Sequence, residues 1–218
     1  MKALKLARLA LFGLCPLLAS CNHHPSSETP KEEQSAVGIV PEQNSTQKEP
    51  QATQWVIDTT TSQVKFTIKN MGMTVSGSFG GFSGSLFFDP ANLNGSKMET
   101  AVRVNSIRTG IKKRDKDLMD EKFFDESHHT LITYRSDSVI RTANGYAVAG
   151  TLTIKGVSAH RVITFVFAEK DNTAQFNGSL VLNRLDYGIG KDGALMGNEV
   201  TIAIEVVARK VSKPVAVK

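Results

Sequence analysis

Val75-Ser76-Gly77-Ser78-Phe79-Gly80-Gly81-Phe82-Ser83-Gly84-Ser85-Leu86-Phe87-Phe88 is the stretch whose reading decides the fold. Phe79, Phe82, Leu86 and Phe88 are its apolar anchors, and Gly77, Gly80, Gly81, Ser83, Gly84 and Ser85 are the small residues between them. Glycines at this density within strands mark bends or bulges, the devices that turn a sheet at a barrel corner. Asp89-Pro90 then closes the hairpin. Just upstream, residues 63–70 alternate, with Val64, Phe66 and Ile68 on one face and Lys65, Thr67 and Lys69 on the other, the two-residue period of a strand. Downstream, residues 98–107 read as a strand, and residues 108–124 break the period. There Leu118, Phe123 and the intervening charges fit one short helix with Asp115 and Asp117 near its start. Strands resume at 131–140 and 146–154, joined by the hairpin signal Asn144-Gly145, and continue at 162–168, 175–182 and 200–209. About eight antiparallel strands with one inserted helix predict a mainly β protein, an up-and-down barrel whose interior can hold one small ligand.

The region before the strands is of another kind. Lys2, Lys5 and Arg8 precede an apolar run at residues 9–18, too short to span a bilayer, and Leu18-Ala19-Ser20-Cys21 resembles a bacterial lipoprotein lipobox. An ordinary secretory cut after Ser20 would leave Leu18 where a small residue is wanted, so lipidation of Cys21 is the expectation. Residues 22–53 are rich in Pro, Ser, Glu, Gln and Thr and cannot repay their ordering entropy. The expected division is a signal peptide at 1–20, a lipidated cysteine and disordered tether at 21–53, a barrel at 54–210 and a tail at 211–218. As a flexible coil the tether has a reach of about 30 Å.

The net charge of +5 shrinks once the leader is set aside, and no tract of Lys and Arg interleaved with aromatics points to nucleic acid. With Cys15 in the leader and Cys21 lipidated, no thiol remains for a disulfide or metal, so stability rests on one packed core. About 160 residues suffice for a single domain of this kind.

Several motifs have plainer readings. Gly188-Ile189-Gly190-Lys191-Asp192-Gly193 fits G-x-G-x-x-G, but Met196-Gly197-Asn198 and a strand follow instead of a helix whose N-terminus would receive a pyrophosphate, so a loop is expected. Gly81-Phe82-Ser83-Gly84-Ser85 approaches an esterase elbow but lacks its last glycine and the strand-to-helix turn. Of His23, His24, His128, His129 and His160 the first two lie in the tether, and adjacent His128 and His129 could bind a metal only weakly because adjacent side chains diverge, so no metal is expected. Arg108, Lys112, Lys113 and Arg114 could meet an anionic headgroup, although Asp115, Asp117, Asp120 and Glu121 neutralise them locally. Phe165 and Phe167 join the other aromatics as core, and in a barrel the core and a ligand pocket share walls.

Taken in order, the residues resemble the YceI family: Val64-x-Phe66-x-Ile68, Gly77-x-Phe79-x-x-Phe82-x-Gly84, Phe88-Asp89-Pro90 and Ser106-Ile107-Arg108-Thr109-Gly110. The block Arg114-Asp115-x-x-Leu118-x-x-x-x-Phe123-Phe124-Asp125 is the most specific, and Gly150-x-Leu152-Thr153-Ile154-x-Gly156-Val157 and Asn183-Arg184-x-Asp186-Tyr187-Gly188 continue it. The resemblance covers about residues 55–210 and implies an extended lipocalin-like antiparallel β-barrel that binds a polyisoprenoid or another long amphiphile, with no cofactor and no catalysis. The candidate cavity walls are Phe66, Phe79, Phe82, Phe88, Leu118, Phe123, Phe124, Ile154, Phe176 and Tyr187, and the candidate headgroup contacts are Arg108, Arg114 and Arg184. Many members have His near Asn70 and Asp117 and Pro where Thr130 stands, so the mouth departs from the pattern. The expected protein is therefore a lipid-anchored, periplasm-facing carrier or sequestering protein. Asn22, in place of an Asp after Cys21, favours the outer membrane. Two rivals differ in class: an accessory protein with a barrel filled by side chains, contacting a membrane redox or stress-response partner, and a hydrolase of small amphiphiles acting through Ser83.

Overall fold

The computed structural model describes residues 52–211. The leader, Cys21, most of the tether and the tail beyond residue 211 lie outside the described residues. Within them are ten strand segments: β1 (Gln54–Ile57), β2 (Gln63–Asn70), β3 (Met73–Phe79), β4 (Ser83–Phe87), β5 (Lys97–Arg103), β6 (Leu131–Thr142), β7 (Gly145–Ile154), β8 (Val157–Lys170), β9 (Thr173–Asn183) and β10 (Met196–Lys210). One α-helix, α1 (Lys112–Met119), interrupts them between β5 and β6. No helix among the described residues is long and apolar enough to cross a membrane.

These ten segments make an eight-strand closed barrel. β10 pairs with β2 from Glu205 to Met196 and with β1 from Ala208 to Lys210, so β1 and β2 act as one interrupted strand along it. β3 and β4 likewise continue one another, β3 pairing with β2 and β4 with both β1 and β5. All pairings are antiparallel, and the ring closes through β1 and β10.

Two serines stitch the breaks. At the β1–β2 break the Ser62 hydroxyl donates to the Val207 carbonyl and accepts from the Val207 N–H. At the β3–β4 break the Ser106 hydroxyl accepts from the Gly80 N–H at 3.0 Å. This second break lies within the glycine-rich stretch 75–88. Gly84 permits close approach there, because a Cβ on it would lie 2.0 Å from the Glu99 carbonyl oxygen. The stretch is thus a strand bent over the barrel corner, as its glycines predict.

The local expectations meet three differences. The strand expected at 98–107 ends at Arg103, because Val104 and Ile107 are both buried and a 3-10 turn, with Ile107 N–H donating to Val104 O, folds the chain inward. The β6–β7 loop is Ala143 and Asn144, not Asn144-Gly145, and only Gly145 has positive φ. Gly145 is required by packing, since a Cβ would meet the Phe165 carbonyl at 2.5 Å. Primed turns, with both central residues at positive φ, occur instead at Met71-Gly72, Lys155-Gly156 and Asp171-Asn172.

The two barrel ends differ. At one end, where β1 enters and the β4–β5, β6–β7 and β8–β9 connections lie, aromatics form a plug. The Phe88 ring lies 5.0 Å from Tyr146, 4.9 Å from Phe167 and 5.6 Å from Phe176. Trp55 packs edge-on against Phe167 and Phe176 and donates its indole N–H to the Phe88 carbonyl at 2.9 Å. Such ring pairs contribute about 0.5–1.5 kcal/mol each beyond area burial. The opposite end carries α1, the 120–130 segment, the β2–β3 turn and the β9–β10 loop.

Candidate functional site

Inside the barrel is a cavity of about 240 Å³. Its origin is visible in the strand pattern. Val64, Phe66 and Ile68 of β2 and Val200, Ile202 and Ile204 of β10 point inward with proper alternation, yet are only half-buried because they face open space. On β7, Val148, Leu152 and Ile154 of the same wall are fully buried. Side chains that line open space forfeit packing contacts on that face, a loss that an apolar occupant would relieve.

Of the predicted wall residues, Phe66, Phe79, Phe82, Leu118, Phe123, Phe124, Ile154 and Phe176 line the cavity. Phe88 does not: it is 0% exposed within the plug, below the cavity floor of Phe165 and Phe176. Tyr187 is also fully buried and off the wall, its ring under the Arg161 guanidinium and its hydroxyl without a protein partner. Emphasis on aromatic mass overlooked the aliphatic half of the wall, Val64, Ile68, Val200, Ile202 and Ile204 among it. The alternation that identified β2 and β10 as strands carried that information.

The open end is built around Thr109. Its N–H donates to Asp115 Oδ1 at 2.8 Å, and its hydroxyl donates to the same oxygen. Arg114 Nε donates to Thr109 Oγ1 and Nη2 to the Thr109 carbonyl, both at 2.8 Å. The Arg114-Asp115 pair thereby locks the start of α1 to the preceding loop, which compensates for an N-cap, Ile111, that has no side-chain oxygen. Arg114 also lines the cavity, together with Asn70 and Thr109, and its Nη1 takes no protein acceptor among the described residues. A guanidinium with a spare donor at the end of a mostly apolar cavity suits an anionic or carbonyl oxygen.

The other two predicted headgroup cations are placed differently. The Arg108 side chain is exposed and donates to the Asn105 and Ile107 carbonyls, away from the wall. Arg184 is 2% exposed and reaches the wall, but its guanidinium is committed to the β9–β10 loop. It donates to the carbonyls of Gly197, Ile189, Lys191 and Met196 and to Asn198 Oδ1. This arginine organises the glycine-rich segment 188–193, which is a loop as expected. Its burial lowers its pKa.

Asp125 fixes the segment carrying Phe123 and Phe124. It sits at φ 51° and accepts from Ser127 and, at 2.8 Å, from His128 Nδ1. The hydrogen bond to His128 holds the Asp125 carboxyl below the usual range and raises His128. Phe124 then meets Phe79 edge-on at 5.4 Å, and Phe79 meets Phe66 at 5.6 Å, one aromatic wall from the 120–130 segment to the barrel. Deeper in, Tyr134 lines the cavity while its hydroxyl donates to the Val148 carbonyl, and burial pushes its pKa upward. Ser83 is exposed, with its hydroxyl directed to the Ala101 carbonyl. No group of three His, Cys, Asp or Glu residues is arranged to hold a metal ion among the described residues.

The profile of the YceI-like domain matches residues 55–208. A UPF0312 protein of Yersinia enterocolitica is 35% identical over 96 residues, 44% of this chain and 50% of that protein, so the match spans half of that relative's length. A UPF0312 protein of Vibrio cholerae is 30% identical over 168 residues, 72% of this chain and 89% of that protein. Among solved structures, Burkholderia cenocepacia BcnA superposes with a TM-score of 0.66 at 27% identity, covering 69% of this chain and 98% of its own. A polyisoprenoid binding domain from Saccharophagus degradans, described as implicated in plant cell wall breakdown, superposes with a TM-score of 0.58 at 14% identity, covering 72% and 98%. At that identity the likeness is one of fold.

Proposed function

This chain belongs to the YceI-like domain family, and from that premise we propose that it is a lipid-binding protein whose barrel holds a long-chain isoprenoid or related amphiphile. The apolar chain lies along the cavity and the polar end meets Arg114, Thr109 and Asn70. The observation that carries this reading is the cavity itself, apolar along its depth, with one partly unsatisfied cation at its open end. A chain-like ligand suits such a space because burial contributes about 25 cal/mol per Å² and needs few polar contacts. The solved polyisoprenoid binding domain of the same fold supports the ligand class.

The protein acts as a carrier or sequestering protein and not as an enzyme. The cavity disfavours the side-chain-filled barrel of the accessory reading, and the outward Ser83 disfavours the hydrolase. Lipidation at Cys21 holds it to the periplasmic face of a membrane, the outer membrane by preference.

Solvent extraction and mass spectrometry of the purified full chain test this reading. A parallel Cys21→Ala preparation distinguishes bound cargo from acyl chains on the cysteine. The expected result is a reproducible long-chain lipid in both preparations. Its repeated absence from Cys21→Ala overturns the binding reading.

A further inference from the structure

The rim of the open end has a composition that ligand binding inside the barrel does not explain. Met71, Met73 and Leu195 are 66%, 68% and 65% exposed, the three highest values among the exposed large apolar side chains of the described residues. They are neighbours. The Met71 N–H donates to the Leu195 carbonyl at 2.6 Å, Met73 pairs across the turn with Asn70, and Asn70 pairs with Met196. Asn70 and Met196 line the cavity, so the three exposed side chains border its opening. Single exposed apolar residues are ordinary, whereas a contiguous group at the opening is not.

The backbone sharpens the point. Met71 takes φ 52° in a turn where Asn, Asp or Gly is the low-energy choice. Lys155 occupies the equivalent position of the β7–β8 turn, but its ammonium donates to the Glu121 and Gly188 carbonyls. Met71 has no such structural use and is presented to solvent. Beside this rim stand Lys69, whose ammonium donates only to Thr74, and Lys191, neither of them in an ion pair. Flexible apolar side chains flanked by lysines match a bilayer interface with anionic headgroups, into which the apolar groups insert while the ammonium groups meet phosphate.

We propose that this rim docks on a membrane containing anionic phospholipid, with Met71, Met73 and Leu195 entering the interface and Lys69 and Lys191 on its phosphates. The cavity opening then faces the lipid phase, and a water-insoluble ligand passes between bilayer and barrel without crossing bulk water. The purpose, though not the surface, rests on the reading of the barrel as a lipid binder.

Cosedimentation of the full chain carrying Cys21→Ala with vesicles of phosphatidylethanolamine and phosphatidylglycerol tests it. Met71→Gln/Met73→Gln/Leu195→Gln is expected to weaken vesicle binding at least about tenfold. Val162→Gln/Val166→Gln/Val181→Gln, equally apolar losses on the outer barrel wall, is expected to leave it unchanged. A Met73→Trp variant gives a second readout, because Trp55 is buried in the plug and its emission is a constant background. The new indole is expected to shift to the blue with these vesicles. Absence of vesicle binding by the parent chain, equal binding by the rim variant, or an unshifted indole overturns the proposal, and absence of binding would leave a protein partner as the occupant of the rim. Lipid content measured on the same samples separates the two readings. Cargo without vesicle binding removes the docking surface alone, and vesicle binding without cargo removes the cavity reading alone.

Discussion

Ile202→Phe puts the cavity to a test in which the sign of the result decides. Ile202 lies mid-barrel on β10 between Phe66 of β2 and Leu180 of β9, half-buried, with its side chain on the cavity wall. Phenylalanine adds three carbons. In a close-packed core that excess forces strain worth about 1–3 kcal/mol of destabilisation. In a cavity of about 240 Å³ it fills open space. At roughly 0.8 kcal/mol per buried methylene the gain is about 2.4 kcal/mol, a rise in Tm of about 5–10 °C for a domain of this length. The assay is thermal unfolding of delipidated protein, with lipid extraction from an untreated sample. The expected outcome is a higher Tm together with less copurified lipid, because the ring and the ligand compete for the same volume. A lower Tm in the delipidated variant would refute the existence of usable space at this point and, with it, the proposed path of the ligand.

Other perturbations address the surrounding machinery. Arg114→Gln should weaken binding of a lipid with an anionic head by about tenfold while a neutral hydrocarbon-tailed probe binds as before, which competition fluorescence can follow. Gly84→Ala should destabilise by more than about 2 kcal/mol in urea unfolding, since its Cβ meets the Glu99 carbonyl, whereas Gly80→Ala meets nothing and should change little. His128, raised by Asp125, contributes stability fully present below its unfolded pKa and lost as pH rises through its higher folded value. Asp125, lowered by His128, contributes stability that is lost as pH falls through its depressed folded value. The pair therefore supports the 120–130 segment between about pH 4 and 6.5. The Tm difference between the parent chain and His128→Gln should be largest in that window and shrink as pH rises above it.

The fold was legible in sequence to the extent that side chains alternate. β2 was readable to its ends, because Val64, Phe66 and Ile68 face the interior and Lys65, Thr67 and Lys69 do not. The corner at Gly80 and Gly81 was readable from composition, but its partner on β1 and β2 was not, since Ser62 bonds to Val207, a residue distant in sequence. Turn chemistry misled where packing ruled: Asn144-Gly145 has the hairpin signature, yet Gly145 is needed for its nearness to Phe165. In the site, eight of the ten wall residues lie on the cavity because large apolar groups in a barrel point inward. Phe88 and Tyr187 share that chemistry but lie at the floor and outside the wall, a matter of position along the barrel axis that composition does not encode. Nor does it encode what an arginine does. Arg184 and Arg114 look alike in sequence, and only the loop carbonyls around Arg184 distinguish a fully committed guanidinium from one that keeps a donor toward the cavity.

The placement of the aromatic plug has a directional consequence. β1 enters at the plugged end, so the chain leading back toward Cys21 departs from the pole opposite the opening. The 15 residues of β10, tilted as barrel strands are, set these poles about 35–40 Å apart. On the proposed lipidation of Cys21, a barrel standing on its plugged end would turn its mouth away from the anchoring membrane, and contact with that membrane would require inversion. Shortening the sequence between residues 22 and 53 would then prevent inversion before it prevented outward reach. The length of that segment would select which of two facing membranes exchanges cargo, leaving the binding site itself untouched.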